Sequence, residues 1–155
     1  MNRTIVIGFP GIGKSTLARN DLKYIDLESG AFWVDGKRPM KWWIPYVNTA
    51  INIAEQDHVV FISSHQQVRD YISSIPLPFG IKVVACYPAL SLQSVWIDKL
   101  YARYKQTDLS KDYKAWQNIK THYVSNIKSL MNFGVGKHVI IENINYDLKS
   151  LLEAN

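Results

Sequence analysis

The 155-residue chain has one cysteine, Cys86. A single thiol can form neither an intramolecular disulfide nor a four-cysteine zinc site. Its setting, KVVACYPAL (82–90), reads as a buried strand, which marks a packed thiol rather than a nucleophile. Long apolar runs are missing as well, and none approaches the ~20 residues of a membrane span. The first fifteen residues carry a glycine-rich turn and a lysine where a secretory leader needs an apolar core. These absences predict a soluble, cytoplasmic protein with no membrane partner. Acidic residues are scarcer than basic ones, 13 against 18, for a net charge of +5. Such an excess serves solubility or draws an anionic ligand, a nucleotide or a nucleic acid. No Lys/Arg-rich stripe of the kind an extended nucleic-acid contact needs is present, so nucleic acid is the less favoured partner. Repeats, low-complexity tracts and linkers are also lacking, and the length is that of one domain spanning 1–155.

What is present is a regular alternation. Short β-rich or apolar runs occur at 3–8, 23–27, 58–63, 81–87 and 137–143. Helical spacing occupies 14–22, 42–55, 66–74, 91–105, a stretch beginning near Ser110, and 145–153. Pro45 falls near the first turn of the second helix, where proline is tolerated. Ser110 reads as an N-cap. After it Tyr113, Trp116, Ile119, Tyr123, Ile127 and Leu130 recur at steps of three and four, as one apolar face turned to the core. The strands are apolar throughout rather than alternating, as a sheet covered on both faces requires. The expected fold is a three-layer α/β/α domain with a mostly parallel five-stranded sheet.

The run Gly8-Phe9-Pro10-Gly11-Ile12-Gly13-Lys14-Ser15 satisfies the pattern G-x-x-x-x-G-K-[ST] in full. It follows a predicted strand and opens a predicted helix, as its mechanism demands. The glycines let backbone N–H groups of Gly11, Ile12 and Gly13 converge on phosphate oxygens without Cβ obstruction. The helix N-terminus adds its positive end. Lys14 can reach the β- and γ-phosphates, Ser15 Oγ can bind Mg²⁺, and Thr16 is placed for the α-phosphate.

With Thr16, this loop resembles the Walker A motif of the small P-loop kinases: nucleoside monophosphate kinases, shikimate and gluconate kinases, polynucleotide kinases and zeta-type toxins. The resemblance implies a P-loop NTPase-type fold, ATP, Mg²⁺ and phosphoryl transfer to a small acceptor. Asp26 stands at the end of the second strand, like the acidic residue of shikimate-type kinases that holds Mg²⁺ through water or takes the acceptor's proton. Glu28, two residues on, could hydrogen-bond the acceptor, unless both are solvated loop carboxylates. The third strand ends in Ser63-Ser64-His65, without the Asp of a Walker B strand. That departure weakens a motor or GTPase reading and shifts the metal role to Ser15 and Asp26.

Ser64 and His65 could touch the acceptor or a water, and His65 could equally cap the next helix. Arg69, one turn further, could grip an anionic acceptor or lie solvated. Lys99 and Arg103 share a helix face. Arg103 resembles the lid arginine that neutralises a transferring phosphoryl group, with a surface ion pair to Asp98 or Asp108 as the rival. Residues 103–110 would then form a very short lid.

The segment SGAFWVDGKRPMKWW (29–43) holds three tryptophans, Phe32 and three basic residues. It falls where monophosphate kinases place their acceptor-binding region, expected here over 29–57. Trp33 could stack on a base and Arg38 could bind the acceptor phosphate, while Trp42 and Trp43 could simply anchor the loop. The reading that follows is an ATP-dependent kinase of nucleotide metabolism, acting on a nucleoside or deoxynucleoside monophosphate. The alternatives are a kinase of a nucleic-acid 5′ end or a small alcohol, and a non-catalytic nucleotide-binding module.

Overall fold

The structure, a computed structural model, describes residues 1–154. Five strands form one sheet: β1 (Thr4–Gly8), β2 (Tyr24–Asp26), β3 (Val59–Ser63), β4 (Lys82–Pro88) and β5 (Lys137–Ile141). Their order is β2-β3-β1-β4-β5, and every pairing is parallel. Six α-helices connect and cover them: α1 (Lys14–Asn20), α2 (Trp43–Glu55), α3 (Gln66–Ser74), α4 (Gln93–Thr107), α5 (Ser110–Met131) and α6 (Leu148–Glu153). The expected three-layer α/β/α domain is observed, and its sheet is parallel without exception.

β1 lies at the centre. Thr4–Gly8 are buried along their whole length, which is why the run has no polar alternation. The register pairs Gly8 with Ser63 on one side and with Cys86 on the other. The carboxyl ends of the three middle strands therefore meet at one level, where ligands of open α/β sheets bind. Phe9, Tyr24, Tyr46, Phe61, Tyr87 and Trp96 are among the largest fully buried side chains, and they pack around that central strand. Cys86 is among the core residues, and burial pushes its thiol up to about 12. It is inert as a nucleophile, as its flanks predict.

The helices depart from the sequence-based expectation mainly at their ends. α6 begins at Leu148, not at residue 145. There Asp147 caps it by accepting from Ser150 N, and 142–147 form a loop. Ser110 is not a cap: it is the first helical residue of α5, behind Leu109, and no side chain caps this end. The apolar face of α5 is core only in its second half. Ile119, Tyr123, Ile127 and Leu130 are buried, but Tyr113 is exposed and Trp116 half-buried. The helix breaks at His122 (φ −124°, ψ 19°). Thr121 Oγ1 donates to Gln117 O one turn back, a bond that bends helices. Before the break the first half of α5 packs against α4. There Tyr101, Tyr104, Tyr113 and Trp116 pack on one another, with ring centroids 4.7–6.2 Å apart. The spacing is that of a core face, but its partner is the neighbouring helix.

Candidate functional site

The stretch from Gly8 to Ser15 turns tightly from β1 into α1. Gly11 (φ +88°) and Gly13 (φ +107°) take left-handed backbone that a side chain would strain. A Cβ at Gly8 would meet the Lys14 Cδ at 2.9 Å, so its absence gives the lysine stem its passage. Two loop carbonyls are tied outward. Trp96 Nε1 donates to Pro10 O (2.8 Å), and Tyr146 Oη donates to Ile12 O (2.8 Å). Their rings stack at 6.2 Å, and the Lys99 ammonium lies over both while donating to Tyr146 Oη at 3.0 Å. With these two carbonyls engaged by side chains, the loop has the backbone form that an anion cradle requires. None of these three supports was foreseen from the sequence. The two that bond the loop lie 86 and 134 positions from their partners, and nothing local marks them.

Lys14 Nζ folds back on Gly8 O at 3.1 Å. Burial lowers its pKa, while Asp26 and Glu28 oppose that and Arg103 adds to it. The lysine thus lies within electrostatic reach of an acidic pair on one side and an arginine on the other. Ser15 and Thr16 are exposed in the first turn of α1, as ligands of a phosphate or cation must be.

Asp26 ends β2, half-buried; desolvation raises its pKa, with Lys14 pulling the other way. Glu28 is exposed and reaches Lys111 Nζ at 3.7 Å, which links the β2 end to the start of α5. Among the described residues no group of three or more His, Cys, Asp or Glu could enclose a metal ion. A bound Mg²⁺ would draw on few protein ligands. Ser15 and Asp26 suit that, since Mg²⁺ typically takes one or two carboxylates and completes its shell with phosphate oxygens and water.

A second cluster, beyond the ends of β2 and β3, is built on Tyr46 and His65. Tyr46, fully buried in α2, donates to Leu27 O (2.6 Å) and accepts from Ser63 N (2.8 Å), so one hydroxyl locks the ends of β2 and β3 together. His65 occupies the N-cap position of α3, yet its ring makes no capping bond. Its Nδ1 lies 2.8 Å from Ser63 Oγ and its Nε2 lies 3.1 Å from Arg38 Nη2. A guanidinium only donates, so Nε2 is the acceptor and Nδ1 carries the proton. Desolvation first, then Arg38, Lys14 and Arg69, hold His65 down at about 4, which keeps it neutral. Arg38 is also flanked by the Trp33 and Trp42 rings at 5.3 and 5.1 Å. Trp42 is buried and stacks edge-on against His65 at 5.2 Å, so it anchors the loop and positions the arginine at once. Trp33 is partly exposed. Among the described residues no carboxylate pairs with Arg38.

Arg69 lies elsewhere. It is buried rather than solvated. Nε donates to Ser64 O (3.0 Å) and Nη1 to Ser129 Oγ (2.8 Å), which pins α3 and the Ser64–His65 backbone to α5. Ser64 contributes its carbonyl to that bond and is itself half-buried. Arg103 pairs with Asp112 (Nε to Oδ1 3.2 Å), and not with Asp98 or Asp108. Its neighbourhood is no open lid: α4 runs to Thr107 and α5 starts at Ser110, so only Asp108 and Leu109 lie between.

This architecture, a phosphate loop after the central strand of a 2-3-1-4-5 parallel sheet, is the P-loop NTPase fold. The chain superposes on a crystal structure of shikimate kinase from Bacteroides thetaiotaomicron with a TM-score of 0.55 and 15% identity, covering 99% of this chain and 95% of that one. No family model and no curated protein sequence matches the chain. At that identity the likeness speaks for the fold, and no helix among the described residues is long and apolar enough to cross a membrane.

Proposed function

We propose that the protein is an ATP-dependent phosphotransferase that passes the γ-phosphoryl group to a small anionic acceptor, in the first instance a nucleoside or deoxynucleoside monophosphate. The observation that carries this reading is the convergence on Lys14: the phosphate-loop lysine, Asp26 and Glu28, Arg103, and the His65–Arg38 pair all share one electrostatic neighbourhood. A binding module needs the cradle alone. A transferase needs the cradle, an acid at the acceptor and cations for the charge that develops in transfer.

In this reading Gly11, Ile12 and Gly13 offer backbone donors to the phosphates, Lys14 bridges β and γ, and Thr16 meets α. Ser15, with Asp26 through water, would hold Mg²⁺, which would supply charge neutralisation for the phosphates. Asp26 is the carboxylate best placed to take the acceptor's proton. Its raised pKa brings it closer to the working range of a general base. Arg38 binds the acceptor's anionic group, because it is oriented by two rings and a neutral imidazole and has no counter-ion. Glu28 and Trp33 border the same space, and Ser64 and Arg69 support it from behind.

A second reading keeps the transfer and changes the acceptor to a hydroxyl-bearing carboxylic acid. The Arg38 fork favours it as much as it favours a phosphate, since guanidinium pairs with both in the same bidentate geometry.

The test mixes the protein with Mg-ATP and a panel of ribo- and deoxynucleoside monophosphates and small hydroxy acids, and follows ADP release. ADP production with one acceptor, reduced at least about 100-fold in Lys14→Ala, is expected from the loss of a charge that stabilises the transition state. Binding of ATP with silence across the whole panel would sink the monophosphate and hydroxy-acid readings and leave a different acceptor, such as a nucleic-acid 5′ end, or a nucleotide-gated binding role.

A further inference from the structure

Asp112 is a carboxylate in the wrong place for a surface hairpin. It sits in the first turn of α5, among exposed residues, yet is itself buried. An acid at this position ordinarily reaches back to cap its own helix. Asp112 does not. Oδ2 accepts from Thr107 Oγ1 and Oδ1 faces Arg103 Nε, and both partners belong to α4. Thr107 Oγ1 in turn accepts from Leu109 N, so the Asp108–Leu109 turn, the threonine and the carboxylate form one fixed joint.

The pairing is one-sided. Oδ1 lies 3.2 Å from Arg103 Nε as a charge contact, not a hydrogen bond, for the buried Nε–H has no hydrogen-bond partner, and the two Nη groups, the fork that matches phosphate oxygens, pair with no carboxylate among the described residues. The same guanidinium lies within electrostatic reach of Lys14 and of Lys99. Three cations so close repel one another and would turn the longest side chain out to water. A buried anion behind Arg103 offsets that repulsion and keeps the guanidinium at the cleft.

We infer that Asp112 is the positioning residue of Arg103, its buried charge drawing the guanidinium back so that the Nη fork faces the transferring phosphoryl group. This rests on the transferase reading above. The sequence conceals the pair, because eight residues and a helix joint separate the two positions.

The test is a double-mutant cycle on Asp112→Asn, which keeps the shape and removes the charge, and Arg103→Met. Asp112→Asn is expected to lower kcat about 10- to 100-fold with the KM for ATP changed less than about threefold, the mark of an interaction made in the transition state. In the Arg103→Met background the same substitution should change kcat by less than about twofold. A merely structural aspartate would act alike in both backgrounds. Thr107→Val serves if Asp112→Asn does not fold: it loosens the same carboxylate and should show a smaller drop, again absent without Arg103. Affinity for Mg-ADP with aluminium fluoride, a mimic of the transferring group, separates the two levels. If the wild type binds the mimic no better than Mg-ADP, the transferase reading fails and this inference falls with it. If the wild type binds the mimic tightly and Asp112→Asn binds it equally well, or an undiminished effect persists without Arg103, the inference alone is overturned.

Discussion

Arg38 and His65 show how one proton fixes a site. The neutral imidazole donates from Nδ1 to Ser63 and accepts at Nε2 from Arg38. Protonation would place a second cation against the guanidinium. The folded pKa of about 4 lies below the ordinary 6.5, so protons bind the unfolded chain first. The stability due to His65 is therefore complete above about pH 6.5 and is lost as the pH falls from there towards 4. Urea unfolding at pH 7 and pH 5 should show the wild type losing on the order of 1–2 kcal/mol more than His65→Gln. Acceptor binding has a different window: its KM should stay flat down to about pH 5, since the folded imidazole remains neutral there. Arg38→Lys is not a mild change at this position. A lysine lacks the planar fork that the two indole rings flank, and the KM for the acceptor should rise about 10-fold or more with the KM for ATP unmoved. Equal rises in both constants would argue that Arg38 only supports the loop.

The glycine-rich turn between β1 and α1 was legible at the level of the element because its signal is local: glycines, lysine and serine at fixed offsets between a strand and a helix. The strands were legible because burial on both faces forces continuous apolar runs. The joint of α4 and α5 was not, since a face spaced for a core can be satisfied by a neighbouring helix instead. Arg69 was only partly legible for a related reason: sequence left it solvated or turned to an anion, and its depth rules out the solvated alternative and gives it Ser64 and Ser129 as partners. Another element-level dependence lies in the turn before β5. Gly136 has φ +81°, and a Cβ there would overlap the Val83 carbonyl, the neighbour in β4. Gly36 has a similar φ of +73° with nothing within 4 Å of its Cβ position. Alanine at Gly36 should cost only the backbone strain, about 1 kcal/mol. Alanine at Gly136 should cost more than about 3 kcal/mol, because β5 must shift in register or separate from β4. Thermal melts of the two variants side by side test this, and equal losses would show that the strand edge can yield.

For the whole molecule, the strand order was the feature least accessible from sequence. Local patterns announce five strands, but only the packing places β1 between β3 and β4, and so brings Gly8, Ser63 and Cys86 to one level. That order assembles a site from segments near residues 8–16, 26–28, 38, 63–65 and 103. The +5 net charge is consistent with ligands that arrive as anions.

Cys86, the lone thiol, lies one strand away from Gly8, and its carbonyl accepts from Phe9 N at 3.0 Å, beneath the phosphate loop. The chain thereby carries a native chemical clock for breathing at its nucleotide end. Alkylation can proceed only when that region opens, so the rate of mass gain with a maleimide measures the opening equilibrium without any introduced label. Saturating Mg-ATP should slow the clock in the wild type, by about 100-fold at a hundred times the dissociation constant if opening expels the nucleotide. It should leave the rate unchanged in Lys14→Ala.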